Sequence, residues 1–212
     1  MTKEDIELAV RAGFASLDVG GDQDLALRDR KRLWRAFGPV ETERDFAARA
    51  PAHRGRTLLA LSAVEHTLPL WEKLWDDREP HEMLRLVGQY MAFEIESQDV
   101  FEFANRLTTR GQNTHGLKSH QLRGVYVAQA AAAVGFTALQ DEWCDDSGES
   151  DEEIDSWDAA YLSSWAWVGC ARWEPGGSTE AANARRGDYW RWYLGEAVPA
   201  AWEEARTVAR RG

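Results

Sequence analysis

Four large aromatic side chains crowd the five positions from Tyr189 to Tyr193, and six residues further on Pro199 withdraws a backbone donor from the same stretch. At about 100° per residue, Trp190, Tyr193, Leu194 and Ala197 share one helical face, whereas Trp192 projects almost the opposite way. One set of rings therefore builds a core, and Trp192 needs a contact of its own. Pro199 also biases Val198 away from helical geometry, so the helix is predicted to bend or restart there, with Pro199 in the new first turn. Spacing alone makes this an aromatic corner between two helices.

Helical periodicity runs through the rest of the chain and strand signals are nearly absent. The pattern predicts an all-α fold, a single compact domain over 1–212 of about eight helices with mostly antiparallel neighbours. Thr2 can cap a first helix carrying Ile6, Val10, Phe14 and Leu17, which Gly20-Gly21 ends. A second, from about Asp24 to Phe37, turns Leu33, Trp34 and Phe37 inward and presents Arg28, Lys31, Arg32 and Arg35 as a solvated basic face. A short third over 42–50, capped by Thr42, completes an N-terminal part, 1–50. The run from His53 to Thr67 is predicted to stop at Pro69, with Leu70, Trp71, Leu74 and Trp75 starting a new apolar stripe. Another helix opens near Pro80 and carries Leu84, Val87, Tyr90 and Met91, with Phe101, Phe103 and Leu107 on a continuation. Thr108 to Ser119 reads as loop. The alanine-rich stretch from Leu122 to Trp143 is the strongest helix and belongs in the centre. Ser150 or Asp151 caps a helix bearing Ile154, Trp157, Tyr161, Trp165 and Val168, and after the stop at Pro175-Gly176-Gly177, Ser178 caps the last.

A 44% hydrophobic chain of 212 residues can bury a real core. Eleven tryptophans imply flat packing layers or a sticky surface, the second being compatible with a homodimer. Cys144 and Cys170 are too few for a disulfide scaffold and read as reduced thiols. The start lacks a secretory signal and no run of about 18 apolar residues occurs, so the expectation is a cytoplasmic protein with no membrane partner. A formal charge of −11 opposes nucleic acid and anionic lipid and favours a basic protein partner.

Catalytic templates fail on inspection, and no metal, cofactor or catalytic residue is expected. His81-Glu82 lacks the second histidine one turn on, and His115 and His120 flank Gly116 without a third ligand. Ser163-Ser164 has no glycine neighbours to form a strained elbow, and the acids around Cys144 disfavour a thiolate. Arg186-Gly187-Asp188 falls in helical surroundings and reads as a chance tripeptide. Charge is more informative. Residues 141–158 hold ten acids, Asp141, Glu142, Asp145, Asp146, Glu149, Asp151, Glu152, Glu153, Asp155 and Asp158, and no lysine or arginine. They concentrate nearly all the net charge in one connector, a field able to steer a basic partner. A mobile connector that aids solubility is the bland alternative.

Two blocks resemble a known family. Trp190-Arg191-Trp192-Tyr193-Leu194 leading into Ala197-Val198-Pro199 resembles the C-terminal motif of the fifth numbered family of immunity proteins of bacterial polymorphic toxin systems. Arg56-Thr57-Leu58-Leu59-Ala60 followed by Leu68-Pro69-Leu70-Trp71-Glu72 is similar to that family's earlier motif. The blocks stand in family order and span roughly residues 50 to 205, while 1–50 and 141–158 match nothing in the pattern. The resemblance implies an all-helical, cytoplasmic, non-catalytic protein that binds a toxin made by the same cell or its kin and blocks it. Spacing gives Pro69, Trp71, Trp190, Trp192, Tyr193 and Pro199 structural roles. Glu72 can satisfy an indole or backbone donor, and Arg56 can pair with a core carboxylate or meet the partner. The toxin-binding expectation rests on Asp141, Glu142, Asp145, Asp146, Glu149, Asp151, Glu152, Glu153 and Asp155, with Trp143 and Trp157 as anchors. If the toxin is a basic nuclease, these carboxylates imitate phosphates. The competing classes are a metal-dependent helical hydrolase using Glu94, Glu96 or Asp99, and a helical adaptor using the basic helix near Arg28 to Arg35.

Overall fold

The computed structural model describes residues 2–40, 50–112, 117, 119–142 and 157–209. Among them run eight helical rods and no strand: α1 (Lys3–Val19), α2 (Leu27–Ala36), α3 (Pro51–Glu72), α4 (Glu79–Met91), α5 (Ser97–Gln112), α6 (Ser119–Gln140), α7 (Ala159–Val168), and a last rod in which α8 (Glu180–Trp192) passes through a π-turn (Tyr193–Ala197) into α9 (Val198–Ala209). The all-α, single-domain reading is borne out. Thr2 forms a reciprocal capping box with Asp5, and α1 ends at Gly20.

The alanine-rich helix α6 is the hub, packed against α3, α4, α5 and α7. Ala128, Ala130, Ala131, Ala132 and Ala138 are all buried, and their small side chains let four neighbours approach one axis. Its stretch Gln121–Gln140 is long and apolar enough to cross a membrane (mean hydropathy 1.3), yet 67% of that window is buried within the protein, as a core helix requires. Of the described tryptophans only Trp173 is exposed, at 48%. The others are spent on internal packing, so the surplus no longer argues for a sticky dimer face.

Several boundaries depart from expectation. Helix α3 does not stop at Pro69, nor does the last rod break at Pro199; both prolines lie inside helices, on exposed faces. A proline leaves a carbonyl one turn earlier without its donor, a loss that water can repair only on such a face. At Pro199 the π-turn adds a register shift, with Val198 N–H bonding Tyr193 O. Burial of Trp71 and Trp202 just beyond each proline, 1% and 2% exposed, rewards keeping the rod intact. Phe101, Phe103 and Leu107 sit on a separate α5, because the chain turns after Met91 through Phe93 at φ 61°. That turn lets Val100, Ala104 and Leu107 face the core. Residues 108–112 are helical rather than loop. Asp158, not residue 150 or 151, caps α7 and leaves Trp157 outside it, and Thr179 rather than Ser178 caps α8. The expected helix over 42–50 lies largely outside the described residues.

Gly55 sets how closely α3 approaches its neighbours, since a Cβ there would collide with the Phe37 ring and lie 3.4 Å from Ala205 Cβ. Gly55→Ala is expected to cost about 1–3 kcal/mol through overpacking despite its better helix propensity. Urea denaturation measures this, and a variant as stable as the parent would refute the tight approach.

Candidate functional site

The acidic segment begins and ends in the protein interior. On α3, Arg56 is 1% exposed and uses every N–H of its guanidinium. Nε and Nη2 each donate to one oxygen of Asp141 at 2.6 Å. Nη1 donates to Trp34 O (3.0 Å) and Gly38 O (2.9 Å), and Nη2 also to Pro39 O (3.1 Å). Asp141 adopts a left-handed backbone, φ 67°, which aspartate tolerates better than most side chains, and its N–H closes the end of α6 on Thr137 O. The pairing holds the C-terminus of α6 against α3 and the chain leaving α2.

A second pair closes the other end. Arg30 on α2 is wholly buried; its Nε donates to Asp158 Oδ2 at 2.7 Å, its Nη1 to Leu25 O at 2.8 Å, and its guanidinium lies 4.2 Å over the Tyr161 ring. The remaining Asp158 oxygen accepts the N–H groups of Ala160 (2.8 Å) and Tyr161 (3.0 Å), capping α7. One carboxylate thus joins α2 to the first turn of α7.

Glu142 lies between the two ends. Burial pushes its carboxyl up to about 8, the Asp158 and Asp141 charges adding to the rise and the Thr137 hydroxyl (2.8 Å) opposing it. Because α6 and α7 pack antiparallel, Arg123 near the start of α6 meeting Val168 at the end of α7, the entry and exit of the segment lie at the same end of that pair. Tyr189 and Tyr193 of the aromatic motif stand behind this base, their phenols held protonated by burial and by the Asp158 charge.

Three of the predicted partner-contacting residues are therefore described. Asp141 is an interior group claimed by a buried arginine, and Glu142 is half-buried, its carboxyl held above the usual range by desolvation and the neighbouring aspartates. Trp157 is half-buried, stacked at 5.7 Å on the exposed Trp173 and edge-on to Trp165 at 4.9 Å. Trp143, Asp145, Asp146, Glu149, Asp151, Glu152, Glu153 and Asp155 lie outside the described residues. Phe101 is 43% exposed and sits edge-on to Phe136, one turn before the end of α6.

The motif residues build scaffold. Trp71 donates to Asp77 O (2.9 Å) and stacks on Trp75, with Arg110 over both rings. Glu72 pairs with His81 (2.9 Å) rather than an indole. Trp190 donates to Asp24 Oδ1 (2.7 Å), whose carboxylate also lies 3.6 Å from the buried Arg186. Tyr193 is buried, and Trp192 finds its separate contact in His66, stacked at 3.6 Å.

Arg30, Arg186 and His66 escaped the reading of the sequence. Arg30 had a legible signal: it shares the inward stripe of Leu27, Trp34 and Phe37. The basic face of α2 is broken, since Lys31 is buried while Arg28, Arg32 and Arg35 are exposed. Glu94, Glu96 and Asp99 lie on the exposed turn and start of α5.

Against known proteins, the family model for immunity protein Imm5 matches residues 15–200. No curated protein matches the chain.

Removing Arg56 leaves Asp141 as an uncompensated interior charge. Arg56→Met should cost about 3–5 kcal/mol in chemical denaturation, and adding Asp141→Asn, which keeps a side chain suited to φ 67°, should recover at least half. No recovery would mean that packing, not charge pairing, carries the loss. Glu142 gives a pH signature. Its folded pKa of about 8 exceeds its ordinary 4.5, so between these values the native state holds a proton the unfolded chain has released. Stability contributed by that proton falls as pH rises through this window and is gone above it. Glu142→Gln, which keeps an oxygen for Thr137, should flatten the decline and exceed the parent in stability at about pH 8.5. Parallel pH profiles would refute it.

Proposed function

The chain belongs to the Imm5 family of immunity proteins, and we propose that it neutralises one cognate protein toxin by binding it directly and covering its active site, with no chemistry of its own. The observation that carries this reading is the seating of the acidic segment. Its entry and exit are locked at one end of the α6–α7 pair by Arg56 and Arg30, so the seven acids between them, Asp145 to Asp155, start from and return to a rigid base. Concentrated like charge on a rigid support raises the association rate of a cationic partner and disfavours acidic ones. Trp157 with the exposed Trp173, and the exposed Phe101, add large apolar groups of the kind that dominate interface energetics. A nuclease, whose groove must hold phosphate, is the toxin class that fits best, the carboxylates standing where phosphates would. The free Cys170 thiol agrees with a cytoplasmic site of action.

Co-expression with the product of the adjacent gene should restore growth and yield a stable complex. Within that complex, replacing Asp145, Asp146, Glu152 and Glu153 by serine should slow association by about tenfold and flatten its dependence on salt, dissociation changing less. Rescue of growth with unchanged kinetics would keep the immunity role and eliminate this interface.

A further inference from the structure

At the opposite end of the α6–α7 pair the charge reverses. A cavity of about 620 Å³ opens between the end of α3, the first turns of α6 and the loop that follows α7. This lies within the size range of small-molecule sites. Its walls are apolar, including Leu70, Leu74, Leu122 and Val168, and three cations, Lys73, Arg123 and Arg185, border it.

Lys73 and Arg185 make no ion pair with the described residues. Arg123 donates to Val168 O at 3.1 Å, which neutralises the carbonyl end of α7 where it meets the cavity. The one carboxylate on the lining, Glu174, is oriented by neutral donors and pairs with none of the three cations. Both its oxygens accept the Tyr126 hydroxyl at 2.7 Å, and Oε2 also accepts Ala171 N–H at 2.7 Å. The seat of Arg123 is shaped by the backbone: Gly169 has φ 102°, and a Cβ there would lie 2.6 Å from Arg123 Nε. A preformed apolar cleft whose three cations outnumber its one carboxylate, with Lys73 and Arg185 in no ion pair among the described residues, selects a ligand that is apolar in body and anionic at one end.

We propose that this cavity binds a small amphipathic anion, an organic carboxylate, sulfonate or phosphate ester whose hydrocarbon or aromatic part fills the cleft while its charge meets Lys73, Arg123 and Arg185. The site is independent of toxin binding. Arg123 and Asp141 lie 18 residues apart along and just beyond one helix, about 27 Å at 1.5 Å per residue.

Anilinonaphthalenesulfonate, an aromatic body carrying one sulfonate, is the probe, and its uncharged relative N-phenylnaphthylamine is the control. Lys73→Ala/Arg185→Ala removes two exposed cations with little risk to folding. The double variant should bind the sulfonate about tenfold more weakly, with binding of the neutral probe unchanged. Saturating sulfonate should slow alkylation of Cys170, which lines the cavity, as followed by peptide mass mapping. Equal affinities of parent and variant for the sulfonate, a parallel loss of the neutral probe, or an unprotected Cys170 would each overturn the assignment.

Discussion

Two buried guanidinium–carboxylate pairs hold this molecule in register. An arginine removed from water forfeits several kcal/mol of hydration, and only a complete set of acceptors offsets the loss. Arg56 has that set: both oxygens of Asp141 and three backbone carbonyls around the end of α2. Hydrophobic contacts would tolerate α3 sliding along α6, but this geometry does not, because a shift of one residue would strand five donors together. Arg30 and Asp158 impose the same condition on α2 and α7. Around an alanine-lined hub with few large side chains to interlock, such directional bonds specify which packing is adopted.

The same pairs decide how charge is distributed. Ten acids between residues 141 and 158 would repel one another if all were ionised on one surface. Folding removes three from that crowd: Asp141 and Asp158 are answered by arginines, and Glu142 is driven toward its neutral form. The remaining seven leave from a base whose own charge is balanced. Lys73, Arg123 and Arg185 gather beyond the other end of α6.

Much of this was legible in the sequence, because helices announce themselves by period and by capping residues. Thr2, Gly20-Gly21 and the alanine run could be read directly. Prolines misled, since their effect depends on exposure, a tertiary property: Pro69 and Pro199 sit where solvent can satisfy the freed carbonyl. The acidic run misled at its ends for a related reason. A carboxylate beside a loop looks solvated until an arginine more than eighty residues away is known to face it, as Arg56 faces Asp141. Arg30 was recoverable, for a cation at the inward period of an apolar stripe has to find a counter-ion. His66 beneath Trp192 was not, since nothing local pairs them.

The motif that marks the family bears on where recognition resides. Trp71, Trp190 and Tyr193 are each no more than 1% exposed. Tyr193 and its neighbour Tyr189 back the charged base, and Trp190 reaches Asp24 to join the last rod to the chain between α1 and α2. Side chains so enclosed cannot touch a rigid partner, whatever their value to folding. A motif of buried aromatics therefore builds the scaffold, and discrimination of a partner has to be carried by groups outside it. The candidates proposed for that role are the acids between Asp141 and Asp158, whose two ends Arg56 and Arg30 anchor. The buried pairs stabilise a platform, and the chemistry presented above it can change without disturbing what lies beneath.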